Sequence, residues 1–147
     1  MKKRVLLITA LVVLVGGGLG AAFYFDVFTS SEVKLERHLT KGREYLAQKK
    51  VNEAAIEFRN ALKANPASAE AHYELALALQ GRGDAKGAFR EFRRAVDLKP
   101  SMIEARYQLG AMYVGGRDLV HAKEELDHMR AQAPESFEVR YLTASIA

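Results

Sequence analysis

The chain has 147 residues and no cysteine, which excludes disulfides, thiol catalysis and cysteine-ligated zinc. Its 22 basic and 18 acidic side chains give a net charge of +4. Lys2, Lys3 and Arg4 supply three of those charges, so the basic excess marks a targeting segment and not a nucleic-acid footprint.

In chain order, the basic stretch Met1-Lys2-Lys3-Arg4 comes first, then Val5–Phe25 without a charge. A helix rising about 1.5 Å per residue would carry that run across roughly the 30 Å core of a bilayer. Phe23, Tyr24, Phe25 and Phe28 form an aromatic belt at its far end. The pattern predicts a retained signal-anchor helix over residues 1–28 and a linker over 29–34. Its basic end would stay cytoplasmic, with the rest of the chain outside. A cleaved signal peptide competes with this reading, with Val5–Val15 as its apolar stretch and a cut near Gly20-Ala21-Ala22. Gly16-x-x-Gly20 and Gly17-x-x-Ala21 have the small-xxx-small spacing of packed membrane helices, which leaves a homo-oligomer open.

From Leu35 onwards a single period governs the sequence. Pro66, Pro100 and Pro134, the only prolines, are spaced by 34 residues. Gly42, Ala76 and Gly110 keep the same interval, as do Tyr45, Leu79 and Tyr113, and Ala54, Ala88 and Ala122. So do Phe58, Phe92 and Leu126, and Ala61, Ala95 and Met129. Proline ends helices, and the residues between are mostly helix formers with apolar positions three or four apart. Breaks are expected at Lys50–Asn52, Gly81–Asp84 and Gly115–Asp118, where Gly, Asn and Asp favour turns and helix starts. Each period is therefore a hairpin of two short helices, and no strand is expected. Phe58 and Phe92 are expected to fill the space towards the next hairpin. One hairpin alone cannot bury such a face, so the units must stack.

The register of small residue, large residue, alanine, aromatic and closing proline resembles the tetratricopeptide repeat. The resemblance covers Leu35 to the end of the chain. It implies an all-α solenoid of helical hairpins with units at 35–68, 69–102 and 103–136, and a partial fourth unit or capping helix over 137–147. Some columns depart from the family. The slot often held by tryptophan has His38, His72, Arg106 and Arg140; Lys41 stands beside Gly42 in place of leucine; and Met129 replaces a small residue. These departures predict looser packing at those points.

Catalytic constellations are sparse. His121, Glu125 and His128 share a helix face, but two turns separate the histidines, about 10 Å, too far for one metal without another ligand. Neither metal nor cofactor is expected. Gly81-Arg82-Gly83 and Gly115-Gly116 read as turns, and the tripeptide Arg82-Gly83-Asp84 belongs to the first of them. Arg90, Arg93 and Arg94 cluster on a second helix, on the expected convex face.

What remains is a binding surface. By the resemblance, first helices of successive hairpins line a concave groove, which here includes Leu39, Arg43, Leu46, Tyr73, Glu74, Leu77, Tyr107, Gln108, Ala111 and Val114. Tyr73, Tyr107 and Tyr141 recur every 34 residues, and tyrosine joins apolar area to one polar tip, which suits peptide recognition. Some members of the family hold C-terminal carboxylates in a clamp of Lys, Asn and Arg. The matching slots hold Leu39, Arg43, Glu74, Glu104 and Gln108, and the two glutamates argue against that clamp. The groove reads as mixed and moderately apolar, so binding should weaken only modestly with salt. The expected function is non-catalytic: an adaptor held on a bacterial inner membrane, with a protein or peptide partner in the groove. The alternative is a non-catalytic subunit of an envelope polysaccharide-synthesis or secretion complex.

Overall fold

The computed structural model describes the backbone of residues 19–147 and the side chains from residue 30. Seven helices follow one another among the described residues: α1 Leu19–Ala47, α2 Val51–Ala64, α3 Ala69–Gly81, α4 Ala85–Leu98, α5 Ile103–Gly115, α6 Leu119–Gln132 and α7 Phe137–Ile146. No strand occurs among the described residues. Helices α1 and α2, α3 and α4, and α5 and α6 pair as hairpins, and α7 packs on α5 and α6. The array is thus an all-α solenoid with the 34-residue period of the sequence.

Two boundaries differ from expectation. Residues 29–34, read as a linker, are helical, because α1 runs unbroken from Leu19 into the first hairpin. The first turn occupies 48–50, so Val51 and Asn52 are helical. Most of the expected membrane helix, Val5–Phe25, lies outside the described residues. Among the described residues no helix is long and apolar enough to cross a membrane.

The turns repeat as faithfully as the helices. Each second helix starts after position 50, 84 or 118. Asp84 and Asp118 cap theirs by accepting hydrogen bonds from the backbone N–H of Gly87 (2.8 Å) and His121 (3.3 Å), whereas Lys50 provides no side-chain cap. The preceding residue has positive φ in all three turns: Lys49 61°, Gly83 83° and Arg117 60°. Only glycine adopts that conformation without a steric penalty. The first turn therefore combines a strained lysine with a missing cap. Transplanting the second turn, as Lys49→Gly/Lys50→Asp, should stabilise the chain by about 1–2 kcal/mol, since a cap contributes about 1 kcal/mol and relief at the left-handed position adds to it. A thermal melt that does not rise by a few degrees would contradict this account of the turn.

One apolar core runs through the array from Leu39 to Leu109, and a smaller cluster of Leu126, Met129, Val139 and Leu142 closes the C-terminal end. Close packing explains the small-residue column. A Cβ on Gly42 would collide with the Phe58 ring, and one on Gly110 would come within 2.5 Å of Leu142. Phe58 and Phe92 are wholly buried. Their rings also reach back to the first helix of their own hairpin, Phe58 against Gly42 and Phe92 against Tyr73 with ring centroids 5.7 Å apart. These contacts place both rings in the interior of their own hairpin.

The expected looseness is absent at Met129 and at three of the four slots without tryptophan, while Arg140 is exposed. Met129 is fully buried. The slot of His38, His72 and Arg106 is filled by a polar contact to a glutamate nineteen residues on, in the second helix of the same hairpin, and with Arg106 that contact is an ion pair. His38 Nδ1 meets Glu57 at 2.7 Å, His72 Nδ1 meets Glu91 at 2.7 Å, and Arg106 Nη1 donates to Glu125 at 2.6 Å. Two of these side chains also reach the turn before their helix: His72 Nε2 lies 3.2 Å from the Pro66 carbonyl, and Arg106 Nε donates to that of Pro100 at 2.7 Å. Lys41 joins the first pair, 3.1 Å from Glu57. The hydrogen bond from His38, helped by Lys41 and opposed by burial, holds the Glu57 carboxyl below the ordinary glutamate value.

Candidate peptide-binding groove

The expected groove residues lie on the first helices α1, α3 and α5, and most keep some exposed surface. Leu39 is the exception. It is completely buried in the core and offers a partner no surface. Arg43 is exposed on α1 and reaches across to the next hairpin, where its Nε donates to Glu74 at 2.6 Å and its Nη2 to Glu70. Tyr73 on α3 is half-buried, with its ring against Phe92. Tyr107 on α5 is also half-buried and meets Tyr141 edge-on, centroids 6.0 Å apart. Tyr141 in turn packs on Phe137 at 5.8 Å, and both stay largely exposed. Leu46, Leu77, Gln108, Ala111 and Val114 are half-buried.

An open depression of about 530 Å³ lies where α3 meets the start of α5. Its lining includes Tyr73 and Glu74, which the sequence singled out, together with Glu70, Lys99, Met102 and Glu104. The carboxylates are felt there. Burial pushes the Tyr73 hydroxyl above its ordinary value, and the charges of Glu104, Glu74 and Glu138 push the same way. The Tyr107 hydroxyl is raised by burial, then by Tyr141 and Glu138. Sequence reasoning missed Glu70 and Glu138 as groove residues. A signal was available, since Glu70, Glu104 and Glu138 recur at 34-residue spacing, each second in its helix.

The remaining candidates are accounted for locally. His121 Nδ1 lies 2.6 Å from Asp118 and its ring stacks on Tyr113, Glu125 is held by Arg106, and His128 is exposed. Among the described residues no group of three His, Cys, Asp or Glu side chains is placed to hold a metal. Within Arg82-Gly83-Asp84 the aspartate caps α4 and lies 3.4 Å from Arg82. Arg90, Arg93 and Arg94 are exposed on α4 and belong to no ion pair among the described residues.

Comparison with known proteins agrees with the period. Two family models described as tetratricopeptide repeat match residues 39–103 and 79–146. No curated protein sequence matches the chain. Among solved structures, the TPR2B domain of yeast Sti1 in its pHsp70 complex superposes with a TM-score of 0.69 at 19% identity, covering 78% of this chain and 94% of that domain. The second such domain of human RPAP3, in complex with the HSP70 peptide SGPTIEEVD, gives 0.72 at 16% identity over 79% of this chain and 97% of its own. A tetratricopeptide repeat protein from Parabacteroides merdae gives 0.71 at 17% identity over 85% of this chain and 54% of its own. At these identities the likeness is one of fold, typical of protein–protein interaction scaffolds. Residues 39–146 are tetratricopeptide repeats, and the chain is a tetratricopeptide-repeat protein.

Proposed function

We propose that this chain is a membrane-tethered adaptor of a bacterial cell envelope that holds a partner protein by a segment laid in the concave groove. The observation that carries the reading is the depression beside Tyr73, where half-buried aromatic surface and polar groups face solvent together. Neighbours of the same fold in complex with Hsp70 peptides support it by analogy. The tether rests on the basic Met1–Arg4 and the uncharged Val5–Phe25. On this reading the repeats lie on the extracytoplasmic side, and the protein itself catalyses nothing.

A second reading has its own observation. Arg90, Arg93 and Arg94, exposed and unpaired on α4, would suit docking as a non-catalytic subunit of an envelope polysaccharide-synthesis or secretion complex. Capture of the partner from detergent-solubilised membranes separates the two. Buried interface aromatics are enriched among residues whose truncation costs about 2 kcal/mol or more, so Tyr73→Ala/Tyr107→Ala should weaken capture roughly 30-fold while far-UV circular dichroism stays unchanged. Arg90→Ala/Arg93→Ala/Arg94→Ala should capture normally. The reverse outcome transfers the function to the convex face. Intact mass of the captured chain tests the tether, because a protein beginning near Phe23 is a cleaved one.

A further inference from the structure

The repeat provides an internal comparison for the groove. Positions 43, 77 and 111 on one first helix correspond to one another, as do 70, 104 and 138, and 74, 108 and 142, on the next. In the first of these slots Arg43 is held by Glu70 and Glu74. In the second the residues are Leu77, Glu104 and Gln108, and in the third Ala111, Glu138 and Leu142. The leading glutamate persists and the cation does not. Among the described residues no Lys, Arg or His comes within 4.0 Å of Glu104 or Glu138. Lys99 lines the same depression as Glu104 without forming that pair. A glutamate in the first turn of a helix is ordinary, because the helix dipole favours it. The first slot shows more than that: at this place in the groove the carboxylates hold a guanidinium.

We propose that the partner supplies the missing cations, so that the groove takes an extended peptide bearing arginine or lysine side chains that reach Glu104 and Glu138. This rests on the groove reading above and adds the chemistry of the ligand. Tyr73 and Tyr107 lie beside these carboxylates and offer aromatic faces to the aliphatic stems and charged heads of such side chains. Helices pack about 8–10 Å apart and an extended chain advances about 3.3–3.6 Å per residue, so the two cations sit about three residues apart in the peptide. Charge complementarity excludes the opposite ligand. The human RPAP3 domain is in complex with SGPTIEEVD, whose end is acidic, and Glu104 and Glu138, without a cation of their own among the described residues, would repel such a peptide here. Binding should then fall with added salt, more than the sequence alone suggested.

Selection of phage-displayed random dodecapeptides on the full-length chain in detergent micelles tests this, followed by fluorescence anisotropy of the most enriched peptide. The expected binders carry net positive charge, with Lys or Arg repeated at about three-residue spacing. Their affinity should drop about fivefold or more in Glu104→Gln/Glu138→Gln, whose exposed or half-buried sites tolerate the change, and should be lost in Tyr73→Ala/Tyr107→Ala. Neutral or acidic binders that still need the tyrosines overturn the inference and leave the groove reading standing. So do basic binders indifferent to the glutamine variant. Binders indifferent to the tyrosines overturn both. A selection without binders, or a groove filled by a second copy in sedimentation, overturns the inference as well.

Discussion

Phe92→Ala will lower stability by about 3–5 kcal/mol, the range for a phenylalanine removed from a packed core. The ring is wholly buried on the second helix of the central hairpin, and its neighbours include Tyr73. The central hairpin is the only one of the three with a complete hairpin on either side. A cavity there loosens the hairpin on which both outer hairpins stack, and in a solenoid stacking supplies the stability that single repeats lack. Net stabilities of about 5–15 kcal/mol make this a large fraction of the total. Melts of the full chain in micelles should shift down by about 10 °C or more, with a broader transition as the outer hairpins uncouple. A variant melt that overlays the wild type would show that Phe92 is not packed as described. The expected loss in the groove variant has a different origin, since Tyr73 is only partly buried.

The fold was legible because three independent signals share one period. The prolines mark where second helices end, the Gly42, Ala76 and Gly110 column marks where helices touch, and the aromatic column marks what fills the interior. Each is a constraint on backbone or volume, and such constraints write themselves into residue type. Depth within a face is less legible. Leu39 occupies the same slot as Tyr73 and Tyr107, so the period placed it in the groove. A leucine has no polar tip to keep near the surface and sinks fully into the core, whereas the tyrosines stay partly exposed. The first turn was misplaced for a related reason. Asn52 is a good cap by type, but the register with Asp84 and Asp118 points to Lys50, and register outweighs residue preference once a repeat is established.

Cross-helix pairs were the least legible feature. His38, His72 and Arg106 looked like failed tryptophans when read along their own helix. Their partners stand nineteen residues away, a distance that no helical period reveals, and only the matching column of Glu57, Glu91 and Glu125 discloses them. Two of the groove carboxylates, Glu70 and Glu138, escaped notice in the same way. Glu70, Glu104 and Glu138 gain meaning from the residue facing them on the preceding hairpin, which is arginine once and apolar twice.

The third of these cross-helix pairs gives the other large effect. Arg106 keeps only 9% of its side chain exposed and Glu125 16%, so this pair is drier than a surface salt bridge. Arg106 also donates to the Pro100 carbonyl, which ties the third hairpin to the turn before it. Removing the acid alone, as Glu125→Ala, leaves a guanidinium in an apolar setting with one acceptor. That should cost about 2–3 kcal/mol, somewhat less than a fully buried pair because some water reaches the carboxylate. Removing the base instead, as Arg106→Met, takes away the charge that needs a partner, fills similar volume and leaves Glu125 free to turn to solvent. The expected cost is about 1 kcal/mol or less. The double variant Glu125→Ala/Arg106→Met should then be more stable than Glu125→Ala by itself. Denaturant melts of the three proteins measure this order directly. If both single variants lose the same amount, the pair is an ordinary surface contact and the slot is not a substitute for the missing aromatic. If the order holds, the charged column contributes fit between the two helices of a hairpin where other members of the family use a large ring.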